Sequence, residues 1–264
     1  MNKRLSSPEW NRALARLIRA SDGQETADAL IDAIGAVVTH NGTCLLAFHP
    51  DAPPEILHHT LDDVSARHYL DRYLAGPYLL DPLYQLALRD NKPGICRYRD
   101  EAPDRFLSSE YYRQYCERTH LTDEMDFLLD AGPSNTLALV VGRRESRFTR
   151  AELGRLRQIE AIVHSAMLNI WDRWQVREDK AEQNRRVHER LTECFENFGD
   201  PVLTRREQET TRLLLRGFST KAIARQLDIA PGTVMVHKRN LFTKLGITSQ
   251  YQLFSRFIEA LSED

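Results

Sequence analysis

LTRREQETTRLLLRGFSTKAIARQLDIAPGTVMVHKRNLFTKLGI, residues 203–247 of a 264-residue chain, carries its own punctuation. Thr204 and Glu207 have the T-x-x-E spacing of a capping box, in which the Thr hydroxyl accepts from the Glu amide and the carboxylate accepts from the Thr amide. That pair starts a helix near Arg205, and Gly217 stops it, since glycine tolerates the left-handed conformation beyond a helix end. Ser219 or Thr220 caps a short second helix that buries Ile223, Ala224 and Leu227. Asp228-Ile229-Ala230-Pro231-Gly232 forms the turn. Pro231 suits the first position of a third helix, where its missing N–H costs nothing. Val234, Leu241 and Leu245 then recur at helical spacing on the inner face.

Two such helices in succession have helix-turn-helix order, in which the second lies in the major groove of double-stranded DNA. The charge agrees. Between Leu203 and Ile258 ten Lys or Arg stand against Glu207, Glu209 and Asp228, a net of +7. The whole chain is −2, so the rest carries −9. A basic module on an acidic body is the electrostatic footprint of a nucleic-acid reader.

Leu203-Thr204, Arg206-Glu207, Gly217, Lys221, Ile223-Ala224, Leu227, Ile229, Gly232-Thr233-Val234, His237, Asn240 and Lys244-Leu245 stand in register with one known pattern. The segment resembles the C-terminal domain of LuxR-type transcriptional regulators. That resemblance implies a four-helix bundle whose last helix runs from Ser249 to about Leu261. Tyr251, Leu253, Phe254 and Phe257 would pack inward or form the dimer contact the family uses. It also implies a homodimer on a two-fold operator, with RNA polymerase as a further partner if the protein is an activator. Met235, Val236 and Arg239 would face base edges, and Thr220, Lys221, Thr233, Lys238 and Lys244 would face phosphates. His237 is open between a phosphate contact and helix packing.

The departures from the family pattern are informative. Ala222 stands where a Glu is usual, and Thr210-Thr211 where Val-Leu is common. Ala230 replaces a capping Ser, which should cost the third helix about 1 kcal/mol. Met235 replaces a Lys or Arg. Methionine cannot bond guanine bidentately but can pack on a thymine methyl, so an altered sequence preference is expected.

The length predicts two domains. With 42% apolar and 28% charged residues the composition is that of an ordinary soluble protein. No apolar run has the length to span a bilayer. MNKRLSSPEWNRALARLIRA, residues 1–20, is basic but lacks a continuous apolar core, so it reads as an amphipathic helix (Trp10, Leu14, Leu17, Ile18) and not a signal peptide. A cytoplasmic protein with no membrane partner is expected. Cys44, Cys96, Cys116 and Cys194 are scattered, which points to free thiols. His49, His58, His59 and His68 lack a ligand spacing, so no metal is expected. Asp62-Asp63 lacks the doubly wound setting of a phosphorylated receiver. No G-x-S-x-G, P-loop or dinucleotide fingerprint occurs, so neither enzyme activity nor a cofactor is indicated.

Upstream, helical patterns cover 8–20 and 25–39, and Thr43–Phe48 and Glu55–Leu61 read as strands. Helical patterns recur at 63–75, 80–90 and 104–118. Strands are predicted at Glu124–Asp130 and Thr136–Arg143, joined through Gly132-Pro133-Ser134-Asn135. A second capping box, Thr149 with Glu152, opens a long helix in which Leu156, Val163 and Ile170 recur every seven residues, beside Leu153, Met167 and Trp174. That helix serves either as a dimer seam or as cover for the sheet. The expected architecture is α+β: an α/β sensor domain of the PAS/GAF kind over 1–174, a charged helical linker over 175–200, and an all-α four-helix helix-turn-helix domain over 201–264.

Eight of the nine tyrosines fall between Tyr69 and Tyr115. They would line a small-molecule pocket, fill a core or cover a partner surface. Tyr69-x3-Tyr73-x7-Asp81-Pro82 vaguely resembles the aromatic-x3-Tyr…Asp-Pro signature of acyl-homoserine lactone receptors. In those receptors the rings wall the pocket and the aspartate accepts an amide hydrogen bond. Here Tyr replaces the usual Trp, the spacing is one residue shorter, and no Trp follows Asp81 until Trp171. A standard lactone is therefore not expected as the effector, and Asp81-Pro82 reads equally well as a helix start. The expectation is a one-component regulator controlled by a small molecule. Its alternative is a regulator whose N-terminal domain is a ligand-independent dimerisation or protein-interaction module.

Overall fold

The computed structural model describes residues 5–89, 94–132, 135–174 and 181–262. The first helix, α1 (Pro8–Arg19), is capped by Ser7, whose hydroxyl accepts from the Trp10 amide at 3.1 Å. Residues 1–4 lie outside the described set. Trp10 is buried, whereas Ile18, expected on the same face, is 76% exposed. In α2 (Gly23–Val37) Asp22 caps the start, and Ala27, Leu30, Ile34 and Val37 form the buried stripe. Two antiparallel strands follow, β1 (Gly42–Phe48) and β2 (Glu55–His59), the second ending two residues before the expected limit.

The helical patterns at 63–75 and 104–118 are not continuous α-helices. The first consists of α3 (Asp63–Ala66), a π-helical turn at Arg67–Asp71 and α4 (Arg72–Leu74). A 3₁₀ turn at Pro77–Leu80 leads into α5 (Pro82–Ala87), and residues 90–93 of the expected 80–90 pattern and its sequel lie outside the described residues. The short strand β3 (Ile95–Arg97) was not predicted, because three residues carry too little periodicity to register. After α6 (Tyr98–Glu101) come a 3₁₀ turn at Phe106–Ser108, a π-helical turn at Tyr112–Cys116 and a 3₁₀ turn at Glu117–Thr119. Wide π turns add a residue per turn and rotate the following side chains, a device often found beside functional sites.

The long strands β4 (Asp123–Asp130) and β5 (Thr136–Arg143) complete a five-stranded antiparallel sheet of order β2-β1-β5-β4-β3. Their joining turn is closed by the Asn135 amide donating to the Gly132 carbonyl at 3.2 Å, and Pro133-Ser134 lies outside the described residues. The long helix after Thr149 is two helices, α7 (Arg150–Gln158) and α8 (Glu160–Trp174), broken at Ile159. The capping box is made as expected, and Arg143 adds a two-pronged ion pair to Glu152 with N–O distances of 2.8 and 3.1 Å.

Strand alternation divides the core. Leu45, Ala47, Met125, Phe127, Leu139 and Val141 point to one face and pack under α2 and α8. Leu156, Val163 and Ile170 belong to that layer, so the seven-residue repeat covers the sheet. Leu46, Phe48, Leu128 and Ala138 point to the other face.

The charged stretch after Trp174 contains α9 (Ala181–Glu196), preceded by residues 175–180, which lie outside the described set. Its Leu191 and Phe195 are buried in the same cluster as Tyr78, Phe106 and the interior of the C-terminal bundle. That bundle comprises α10 (Arg205–Leu215), α11 (Thr220–Leu227), α12 (Pro231–Leu245) and α13 (Gln250–Ser262). Thr210 and Thr211 are fully buried at positions where apolar residues are common. Each hydroxyl donates to the carbonyl four residues earlier at 2.8 Å, Arg206 and Glu207 respectively, which satisfies the polar group inside the core. In α13 Leu253, Phe254 and Phe257 face inward and Tyr251 is exposed.

Candidate nucleic-acid interface and effector cavity

Capping chemistry fixes the helix-turn-helix. Ser219 is the N-cap of α11, its hydroxyl accepting from the Ala222 amide at 3.2 Å, and Asp228 ends the helix in the left-handed region. Ala230 supplies no side-chain cap to α12, so that helix starts on Pro231 alone. Val234, Leu241 and Leu245 hold α12 against α10 and α11. Met235, Val236 and Arg239 are thereby exposed, Met235 at 64%, although nothing apolar covers it. Thr233 and Lys221 are exposed as well, while Thr220, His237 and Lys238 are half-buried. Lys244 differs from the others. Its ammonium bonds the buried Glu207 carboxylate at 2.7 Å, tying α12 to the capping box of α10. The neighbouring ammonium and the capping bonds hold Glu207 below the usual carboxylate range, although burial, the largest influence, acts the other way.

The second site is a cavity of about 200 Å³ on the sheet face opposite α2 and α8. It brings together Tyr69, Tyr73 and Asp81, the three residues singled out in the sequence. Asp81 does both things its sequence context suggested. It caps α5, accepting from the Leu83 amide at 2.9 Å, and it lines the cavity. Tyr73 and Tyr98 hydroxyls donate to its two oxygens at 2.7 and 2.9 Å. Burial raises its pKa against the lowering effect of those bonds. The Tyr69 hydroxyl is spent on the Arg118 carbonyl at 2.7 Å.

Tyr98, Tyr111, Tyr112 and Tyr115 of the tyrosine-rich stretch also line the cavity, together with Arg99 and Glu124, which the sequence did not single out. The crowding of tyrosines was a visible signal. Glu124 and Asp126 offered none, since they alternate with Met125 and Phe127 as the wet face of a half-buried strand would. Burial, followed by the charge of Asp81, pushes Glu124 up to about 8. Burial and then Glu124 push Asp126 well above the carboxylate range. Cys44 and Cys116 also line the cavity, and burial lifts Cys44 to about 12, so both stay neutral thiols.

The segment that walls the cavity also touches the bundle. Between Tyr98 and Cys116, the side chains of Tyr98, Leu107, Tyr111, Tyr112 and Tyr115 line the cavity. On its outer side Asp104 accepts from the Ser219 amide at 3.1 Å and from the Ser219 hydroxyl at 2.6 Å. Gly217, at φ +87°, lies so close that an added Cβ would sit 3.1 Å from Ser109 Cβ and 3.2 Å from Phe106 Cα. Burial and the adjacent charge of Arg105 lower the pKa of Lys238 on α12. Asp104 sits at the N-terminus of α11, where unpaired amides and the helix dipole attract anions.

The histidines serve local structure. His58 pairs with Asp28 at 3.2 Å, and His49 meets Asn135 at 2.8 Å. Among the described residues no group of three His, Cys, Asp or Glu could hold a metal ion.

Residues 201–257 match the profile of the bacterial regulatory proteins of the luxR family. A curated relative from Aeromonas salmonicida, described as an HTH-type transcriptional regulator, is 30% identical over 186 residues, which cover 69% of this chain and 94% of the relative. The chain belongs to the LuxR family of bacterial regulatory proteins. The monoamine regulon transcriptional regulator of Klebsiella aerogenes is 23% identical over 206 residues, 77% of this chain and 77% of its own length. The solved VqsR LBD domain from Pseudomonas aeruginosa aligns with 25% identity and a TM-score of 0.55 over 63% of this chain and 99% of its own. This LuxR-family protein is therefore a transcriptional regulator with a helix-turn-helix DNA-binding domain and an N-terminal domain like a ligand-binding one. Its family is one of regulators, not enzymes. Among the described residues no helix is long and apolar enough to cross a membrane.

Proposed function

We propose that this regulator binds a two-fold operator as a homodimer and that a small molecule in the N-terminal cavity controls the binding. Residues 201–264 act as the reader, 1–174 as the sensor, and the helix within 175–200 joins them. Met235, Val236 and Arg239 meet base edges. Lys221, Thr220, Thr233 and Lys238 meet phosphates, with His237 packed beside them. Lys244 contributes mainly by bracing α12, because its ammonium is already paired with Glu207.

The observation that carries ligand control is the double role of the Tyr98–Cys116 segment. Its rings line the cavity, while its Asp104 bonds Ser219 at the start of α11. A carboxylate there competes with a DNA phosphate for the same donors. An occupant that rearranges the rings moves Asp104, which gives it the differential affinity for two reader states that control requires. The alternative, tyrosines displayed on a partner surface, has less support, since none of the eight is exposed.

The test is selection of an operator from random duplexes by the full chain, followed by anisotropy titrations. Arg239→Ala is expected to lose about 1–3 kcal/mol and relax specificity at one position in each half-site. An enriched sequence lacking two-fold symmetry, or an Arg239→Ala protein with unchanged preference, would refute the reading.

A further inference from the structure

Charge inside the cavity is unbalanced. Asp81, Asp123 and Glu124 line it, and Arg99 is the one basic residue among its described lining. Arg99 is already engaged, its Nε 3.5 Å from Asp123, to which Arg97 adds a second contact at 3.4 Å. Asp81 accepts three hydrogen bonds, from Tyr73, Tyr98 and the Leu83 amide. Glu124 and Asp126 are what remain. They stand two apart on β4 and share one face of the strand, on which Glu124 lines the cavity and Asp126 lies buried beside it. Asp126 is completely buried, and its carboxyl has no hydrogen-bonding neighbour other than the carboxyl of Glu124. A buried carboxyl left this way carries a substantial penalty unless a partner arrives.

We propose that the cavity binds an organic cation, an ammonium carried on a single ring or short apolar chain, with its charge against Glu124 and its carbon body among the tyrosine rings. The proposal rests on the sensor reading above and narrows its effector to one chemical class. An ammonium brings a positive charge and up to three donors to Glu124, which lines the cavity beside the buried Asp126. A neutral donor fills one lone pair but does not favour the ionised form of Glu124, and an anion opposes it. A metal ion is disfavoured by the absence, among the described residues, of any three ligating groups with suitable placement.

The walls suit the same guest. Tyr69, Tyr73, Tyr98, Tyr111, Tyr112 and Tyr115 surround the space, and ring faces attract cations, most strongly when water is excluded. The Glu124 charge is felt at Tyr98, Tyr111 and Tyr112, so the acid and the rings belong to one enclosure. The cavity of about 200 Å³ is somewhat larger than the roughly 150 Å³ void that takes up benzene, which limits the guest to one ring with a short arm or its aliphatic equivalent.

The experiment is a matched panel on the full chain, read by thermal shift and calorimetric titration. Phenylethyl, cyclohexylethyl and hexyl skeletons are each presented as amine, alcohol and carboxylate. At least one amine is expected to raise Tm and to bind at least tenfold more tightly than the alcohol and carboxylate of its skeleton. The Glu124→Gln/Asp126→Asn protein is expected to lose at least tenfold of that affinity while melting no lower than wild type, because it no longer buries the pair. Glu124→Gln alone, which keeps the side-chain volume, gives a smaller loss in the same direction. Alcohols or carboxylates that bind while amines do not would overturn the cation proposal and leave the sensor reading standing. An amine whose affinity survives the double substitution would also overturn it. If no compound of any charge binds, the sensor reading falls as well.

Discussion

The reader and the cavity use charge in opposite ways. The reader sets its cations outside, with Lys221 and Arg239 exposed on a bundle whose interior is apolar or internally bonded. The cavity sets its acids inside, where Glu124 lines a space walled by tyrosines, Asp126 lies buried beside it, and Arg99 is the one basic residue among the described lining. Exposed cations are cheap to keep and select a polyanion by counterion release. Buried carboxyls are costly to keep, and that cost is what a cation would relieve. A regulator that meets DNA at one end and a small guest at the other needs both arrangements, and the Tyr98–Cys116 segment lies between them.

The largest expected effect tests whether the two regions are mechanically one. Phe257 in α13 is fully buried against Phe195 and Phe198, with ring centroids 5.5 Å from each. Phe257→Ala should cost about 3–5 kcal/mol. Because Phe195 belongs to the cluster that also holds Tyr78 and Phe106, calorimetry should show the sensor transition falling together with that of the reader. A reader that melts alone, with the sensor transition unmoved, would break the comparison into two independent bodies.

Glu124 gives a pH test. Its folded pKa is about 8, above the ordinary 4.5, so the folded state holds a proton that the unfolded state releases. Stability contributed by that proton is present at low pH and is lost as pH rises from about 4.5 to 8. Asp81 from the start of α5 and Asp123 and Asp126 from β4 set the shift along with burial, while Cys44, Cys96, Tyr98 and Arg99 face the same region. Glu124→Gln should therefore raise Tm at pH 8 by about 3 °C or more and much less at pH 5. A rise of equal size at both values would assign the gain to packing.

Smaller effects sharpen the reader. Ala230→Ser restores a cap and should stabilise α12 by about 0.5–2 kcal/mol, measured as an increase in denaturation midpoint with the slope unchanged. Lys221→Ala should reduce the salt slope of DNA binding by about 1 without altering sequence preference. A changed preference would move Lys221 from the phosphate set to the bases.

The two regions also differ in how much of them the sequence discloses. Both capping boxes, Thr204 with Glu207 and Thr149 with Glu152, are local and appear as expected. The reader is legible because Gly217, Ser219 and Pro231 mark its boundaries within one or two residues of the chemistry they perform. The cavity is assembled from Tyr69, Asp81, Tyr98, Tyr111 and Glu124, which span five separate elements and turns. Tyr69, Tyr73 and Asp81 were legible through a spacing, whereas Glu124 and Asp126 alternate with Met125 and Phe127 as the wet face of a half-buried strand would, and so gave no sign that they are buried. The break at Ile159 has no glycine or proline to announce it, and the π turns at Arg67–Asp71 and Tyr112–Cys116 follow from packing that no local pattern encodes. Asp104 is exposed and ordinary in sequence, and only its bonds to Ser219 give it a role.

That contact is where the central claim is most directly measured. Operator affinity of the full chain, without added effector and at fixed salt, is compared for wild type, Asp104→Ala and Asp71→Ala. Asp71 is an exposed acid that controls for the simple loss of negative charge. The account predicts that Asp104→Ala binds the operator several-fold more tightly than either of the others, because Ser219 and the start of α11 are released to phosphate. Equal affinities for Asp104→Ala and Asp71→Ala would contradict it, and would leave the cavity and the reader without the link that makes them one regulator.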